Sequence, residues 1–161
     1  SEIEEMTRQY SEYYRQITEL KAEQDKRVEA EKRLRMSDKN VFDYCTSKIN
    51  LDECLKAYQE KTVQMEEKEK ELSGTTDRTA QLKLKAEIQD LEVHRNDLRA
   101  KIDFYRKQTQ ELERADIVQK YKILLSQIEK INGILKEKRD KAQEIKTLVQ
   151  DKTKELEKLR G

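Results

Sequence analysis

His94 is the single histidine of this sequence, and Cys45 and Cys54 are its two cysteines. These are the residue types that could ligate a metal, act as a nucleophile or relay a proton, and their spacing serves none of those roles. On one straight helix, nine positions place the two cysteines half a turn out of phase and about 13 Å apart along the axis. A disulfide needs Cα atoms within about 7 Å. The cysteines therefore read as small packing residues, and thiols that cannot bridge each other suit a reducing, intracellular compartment. His94, at an edge position beside Arg95, reads as a surface residue. No Ser/His/Asp or Cys/His arrangement, Gly-rich phosphate loop or EF-hand loop can be assembled. The expectation is a chain that is not an enzyme, with no cofactor, no metal and no small-molecule substrate.

Tyr10, Tyr13 and Tyr14 could be modification sites or anchors for a partner. Two of them, Tyr10 and Tyr13, fall on an apolar stripe and are expected to be packed. Tyr14 lies just off it and could serve a partner. Basic clusters occur at Lys26-Arg27, at Lys32-Arg33-Arg35 and at Lys136-Lys138-Arg139-Lys141. Their acidic neighbours Glu29, Glu31, Glu137 and Asp140 largely cancel them, so solvated helix faces are expected rather than phosphate or nucleic-acid sites.

The elements that would hold these residues follow from composition. The 161 residues are 43% charged and 34% hydrophobic, with no Pro, no Trp and three Gly. A compact domain is usually about 45–50% apolar and richer in Gly and Pro. Disorder is the other outcome of high charge, but disordered chains favour the Pro and Gly that are scarce here. Runs of Glu, Lys, Gln, Arg, Ala and Leu lose little rotamer freedom in a helix. An all-α chain is expected. Thirty-five basic and 34 acidic residues are interleaved to a net charge of +1, so there is no domain-sized field for nucleic acid or an anionic membrane. No stretch is apolar enough for a membrane span. The first residue is Ser rather than Met, as expected of a fragment of a larger protein.

Apolar residues recur at alternating steps of three and four, the heptad signature of helices lying side by side. The first such seam is Ile3, Met6, Tyr10, Tyr13, Ile17 and Leu20. It weakens between about 22 and 40, where Gln24, Arg27 and Glu31 occupy its frame. It then recovers in a crowded stretch through Val41, Phe42, Cys45, Ile49, Leu51, Cys54, Leu55 and Tyr58. A second seam runs through Leu84, Ile88, Leu91, Leu98, Ile102, Tyr105 and Leu112, with Arg95 and Thr109 filling two core positions. After a one-residue slip near Arg114-Ala115-Asp116 it resumes as Ile117, Tyr121, Leu124, Ile128, Ile131, Leu135, Ala142, Ile145 and Val149. A long helix can absorb such a slip. Ser37-Asp38-Lys39-Asn40 carries capping residues but no Gly or Pro, so helical continuity is expected there as well.

"ELSGTTDRTAQ", Glu71 to Gln81, is the one place where the helical texture lapses. Gly74, two residues after Leu72, could close a helix in the left-handed conformation, with Lys68 and Lys70 in its last turn. Thr75, Thr76 or Asp77 could cap the next. The predicted organisation is a first helix over 1–72, an interruption at 73–77 and a second helix over 78–160. These would be roughly 110 Å and 125 Å long. A parallel in-register homodimer would set Glu87 against Glu92, Lys101 against Arg106 and Lys141 against Lys146, and would bury Arg95 against its own copy. An antiparallel helical hairpin is therefore favoured over a continuous parallel rod. Apolar residues over 117–135 spread beyond one stripe, which predicts contact with more than one helix.

This texture resembles the coiled-coil rods of cytoskeletal, ciliary, centrosomal and vesicle-tethering scaffolds. The resemblance implies a structural element, cytoplasmic and cytoskeleton-associated, that assembles with other coiled-coil helices, from itself or another chain. The expected interface is Ile3, Met6, Tyr10, Tyr13, Ile17, Leu20, Ile49, Leu55, Ile88, Leu91, Leu98, Ile102, Tyr105, Leu112, Ile117, Tyr121, Leu124, Ile128, Ile131, Leu135, Ile145 and Val149. The alternative is a helical bundle that binds membrane surfaces, with basic residues gathered on one face.

Overall fold

The computed structural model describes all residues, 1–161, and the chain is all-α with no strand. Four helices occur in the order α1 (Glu2–Ser37), α2 (Lys39–Gly74), α3 (Arg78–Leu112) and α4 (Asp116–Arg160). The two-helix division expected from the seams is thus replaced by four. Residues form two compact units, one of Ser37–Gln119 and one of Ser1–Met36 with Lys120–Gly161. No helix is long and apolar enough to cross a membrane.

Both extra breaks have local causes. At the first, Asp38 takes extended φ/ψ of −106° and 124°, and its carboxylate accepts a hydrogen bond from Val41 N at 3.0 Å. A short side chain that satisfies an orphan amide competes with helix continuation at its own position, so the helix ends at Ser37 and restarts at Lys39. At the second, Arg114 N and Ala115 N bond three residues back, to Glu111 O and Leu112 O, both at 3.2 Å. This tighter turn is where the apolar frame slips by one residue. The side-chain amide of Gln119 then donates to Glu113 O at 2.6 Å, which satisfies a carbonyl released by the break. The slip is therefore resolved by ending one helix and starting another.

In the unit of residues 37–119, α2 and α3 form an antiparallel helical hairpin. Its turn is Thr75–Asp77, and Asp77 caps α3 by accepting from Thr79 N at 3.3 Å. Gln81 Nε2 braces the turn by donating to Thr75 O at 2.9 Å. Gly74 does not have the expected left-handed conformation, since no glycine has positive φ. It is the last helical residue instead, and Thr75 leaves the helix in extended conformation at φ −107° and ψ 141°. Lys68 and Lys70 lie short of the last turn, which holds no basic residue. Val41, Tyr44, Ser47, Leu51 and Met65 of α2 are buried, as are Ile102 and Thr109 of α3 and Val118 in the first turn of α4.

In the other unit, α1 pairs antiparallel with α4 from Lys120 onward. Glu2 meets Lys152 at 2.7 Å and Gln16 meets Lys138 at 2.7 Å, while Gln24 meets Asn132 and Arg27 meets Gln127. As one number rises the other falls, which fixes the direction. Tyr121, Ile131, Leu135 and Ala142 are buried in this unit, and no residue of α1 is.

Candidate functional site

A helix pair with two faces offers two kinds of site: the seam between its helices and the faces turned away from that seam. The seam of the α2–α3 hairpin carries polar layers. Ser47 Oγ and Thr109 Oγ1 are 2.9 Å apart and both residues are buried. Further along, Arg99 donates to the Tyr58 hydroxyl at 2.8 Å, and Arg95 donates to Thr62 Oγ1 at 3.4 Å. Both guanidinium groups also lie beside the Tyr58 ring, at 5.5 Å and 5.7 Å from its centroid. The Arg99 hydrogen bond lowers the Tyr58 pKa, whereas burial raises that of Tyr44. Arg95 Nε is buried without a hydrogen-bond partner. Nearest the turn, Lys68 Nζ sits 2.6 Å from Glu87 Oε2, which lowers the carboxyl pKa and raises that of the ammonium through the shared hydrogen bond.

These layers specify register. Each polar group finds its partner only when the helices meet at one offset, and sliding would leave buried polar atoms unpaired. The hairpin also gives Glu87, which would face Glu92 in a parallel homodimer, a cationic partner in Lys68.

In the second unit the seam is polar at intervals too. Lys138 donates to Gln16 and lies 5.9 Å from the Tyr13 ring centroid. Tyr10 stacks on Tyr14 with centroids 6.5 Å apart, one half-buried and the other exposed. Tyr13, Gln16, Ile134, Lys138, Lys141 and Ile145 are among the residues lining an open groove of about 520 Å³. No group of three or more metal-ligating side chains converges anywhere in the chain. Cys45 and Cys54 are half-buried and not joined in a disulfide, and His94 is exposed with Nδ1 2.8 Å from Asp90 O.

Most of the apolar residues expected to meet a partner are half-buried within these helix pairs. In the unit of residues 37–119 this holds for Ile88, Leu91, Leu98, Tyr105, Leu112 and Ile117, with Ile102 buried. In the other unit Tyr121, Ile131 and Leu135 are buried. There Ile3, Met6, Tyr10, Tyr13, Ile17, Leu20, Leu124, Ile128, Ile145 and Val149 are half-buried. Ile49 and Leu55 depart from the group, for both are exposed. The α2 seam runs instead through Tyr44, Ser47 and Leu51, none of them among the interface residues expected from the sequence. Val41, Tyr44, Ser47 and Leu51 step by three and four and so carry the helical signal. It is obscured because Phe42, Cys45 and Ile49 interleave with them as a second row.

That second row is the feature of most functional interest. Phe42, Ile49 and Val63 on α2 and Leu82, Val93 and Phe104 on α3 are between 41% and 61% exposed. Each lies two positions from a seam residue, about 200° around the helix. Ile123, Ile134 and Leu148 of α4 form a comparable exposed set in the other unit. Comparison with family models, with curated proteins and with solved structures yields no match.

Proposed function

We propose that the chain is a non-catalytic structural element whose role is to lie alongside other helices, coiled-coil fashion, within a cytoskeletal, ciliary, centrosomal or tethering scaffold inside the cell. One observation carries this reading. Once the internal seams are satisfied, both units still present large apolar side chains in rows at helical spacing. Singly exposed apolar residues are common, but ordered rows opposite a completed seam mark surfaces that another helix can cover. The charged residues that flank each row select the partner and its direction, as they do in paired helices generally. The polar layers inside the hairpins support the same role by holding each row in a fixed position.

The test replaces Phe42, Ile49, Val63, Leu82, Val93 and Phe104 together with Gln in the protein in its native cell, followed by cross-linking under native conditions. Loss of cross-linked assemblies with unchanged far-UV circular dichroism of the purified chain is the expected result. Assemblies that persist with the rows removed and the helices intact refute the reading.

A further inference from the structure

Of the asparagines at 40, 50, 96 and 132, only Asn132 is followed by glycine. The pair lies well inside α4, between the buried residues Ile131 and Leu135. Nothing in the packing calls for a glycine at 133: its φ is not positive, and a Cβ built there meets no atom within 4 Å. Its local effect is to loosen the helix, since glycine is a poor helix former. It also leaves the peptide nitrogen after Asn132 free of the crowding that a Cβ imposes. Asn40 and Asn50 are followed by the branched residues Val41 and Leu51, and Asn96 by Asp97.

An asparagine in this setting can react with its own backbone. The Gly133 nitrogen attacks Cγ of Asn132 to form a five-membered succinimide. The Cγ–Nδ2 bond breaks, and ammonia leaves with the proton that the peptide nitrogen gives up. Water then opens the ring. Opening at Cγ gives an ordinary aspartate, and opening at the former backbone carbonyl gives a β-linked isoaspartate. The paired helix opposes the first step in three ways. The Gly133 N–H is committed to the carbonyl four residues back, at Glu129. Side chains on a helix lean toward its N-terminus, which turns the Asn132 amide away from the nitrogen that follows it. Gln24 of α1 donates to Asn132 Oδ1 and holds that amide in place.

We propose that Asn132 is a succinimide-forming modification site, restrained by the pairing of α4 with α1 and released when α4 opens around Gly133. The two products differ in consequence. An ordinary aspartate keeps the helix and gains Lys136, four residues on, as a neighbour of opposite charge. Isoaspartate routes the chain through the side chain, which lengthens the backbone between Ile131 and Leu135 and breaks the helical register of this seam.

The test incubates the full chain in mildly alkaline buffer, native and in urea, and follows conversion by peptide mass spectrometry. Trypsin releases residues 131–136, which contain Asn132 and no other asparagine. Isoaspartate is read separately with a methyltransferase specific for it. In urea, Asn132 should react at least about tenfold faster than any other asparagine, and Gly133→Ala should slow it at least about tenfold. In the native chain the reaction should be at least about a hundredfold slower than in urea, equivalent to opening by about 2.7 kcal/mol or more. Leu135→Ala, which removes a buried side chain beside the pair, should speed the native reaction at least about tenfold and leave the rate in urea unchanged. Three results overturn the inference: another asparagine that reacts first in urea, a native rate equal to that in urea, or a native rate that Leu135→Ala leaves unchanged.

Discussion

The Ser47–Thr109 layer allows a sharp prediction because its two hydroxyls are unequal. Ser47 is 2% exposed and Thr109 5% exposed, and the oxygens are 2.9 Å apart. Ser47 has one other acceptor in reach, Tyr105 O at 3.4 Å, a distance at which a hydroxyl hydrogen bond is weak. Thr109→Val keeps the shape of the side chain and leaves the serine hydroxyl buried without a good partner, at a cost of about 1–2 kcal/mol. Ser47→Ala leaves a threonine hydroxyl that can turn back to the carbonyl four residues earlier in its own helix, as threonine readily does. Its cost should be smaller, about 0.5–1 kcal/mol. In the double variant no buried hydroxyl remains, and the sum of the two losses should not appear. Stability is expected to return to within about 0.5 kcal/mol of wild type, a coupling of about 1–2 kcal/mol. Urea unfolding followed by circular dichroism at four points of the cycle reads these differences directly, and melting temperatures should move by about 2–4 °C per kcal/mol. Additive losses in the double variant would refute the reasoning, because they would mean that the hydroxyls act separately rather than as one layer.

Gly74 and Gly133 both sit in helices at negative φ, and a Cβ built on either meets no atom within 4 Å. Gly133→Ala should therefore stabilise the chain by about 0.5–1 kcal/mol and Gly74→Ala, at a helix end, by less; a loss of stability at Gly74 in urea unfolding would restore the left-handed cap. Asp38→Ala removes the cap of α2 and should cost about 0.5–2 kcal/mol, whereas Asp38→Asn should cost a few tenths, as measured by thermal unfolding. The Lys68–Glu87 pair should leave its mark at both ends of a pH series of melting temperatures. Glu87 has its folded pKa lowered from 4.5, so its contribution is present above that value and is lost as pH falls through the folded pKa. Lys68 is raised from 10.5, so its contribution is complete below that value and is lost as pH rises through the folded pKa. Lys68→Met should flatten both flanks of the profile, and added salt should shrink the difference, since both side chains are about one-third exposed.

The hairpin was largely readable because its signals are local and repeated. The α3 seam from Leu84 to Leu112 steps without ambiguity, Arg95 and Thr109 announce themselves as polar residues in apolar positions, and Asp77 has the charge and shape of a cap. The breaks at Asp38 and at Glu113–Ala115 were harder to read. Neither involves Gly or Pro, and each depends on one hydrogen bond or one tightened turn whose balance against helix continuation is of the order of 1 kcal/mol. Gly74 misled for a related reason. A glycine near a helix end usually signals positive φ, but an extended Thr75 turns the chain equally well. The polar partners of the core, Ser47 and Thr62 among them, are small residues that do not stand out until the register brings them opposite Thr109 and Arg95. Ile49 and Leu55 were misplaced because two apolar rows two residues apart look, in sequence, like one crowded stripe.

A pair of helices can fully enclose only a narrow strip, and the burial pattern records where each pair falls short. In the unit containing α1, every residue of that helix retains exposure, although its seam from Ile3 to Leu20 is uninterrupted, while its partner α4 buries Leu135 and Ala142 almost completely. In the other unit both helices bury residues, yet each repeats an apolar row on its far side. Such rows do nothing for the fold of the hairpin and tend to promote unwanted association. The polar seam layers then have a second consequence: by fixing how α2 and α3 meet, they also fix the stagger between the two outer rows.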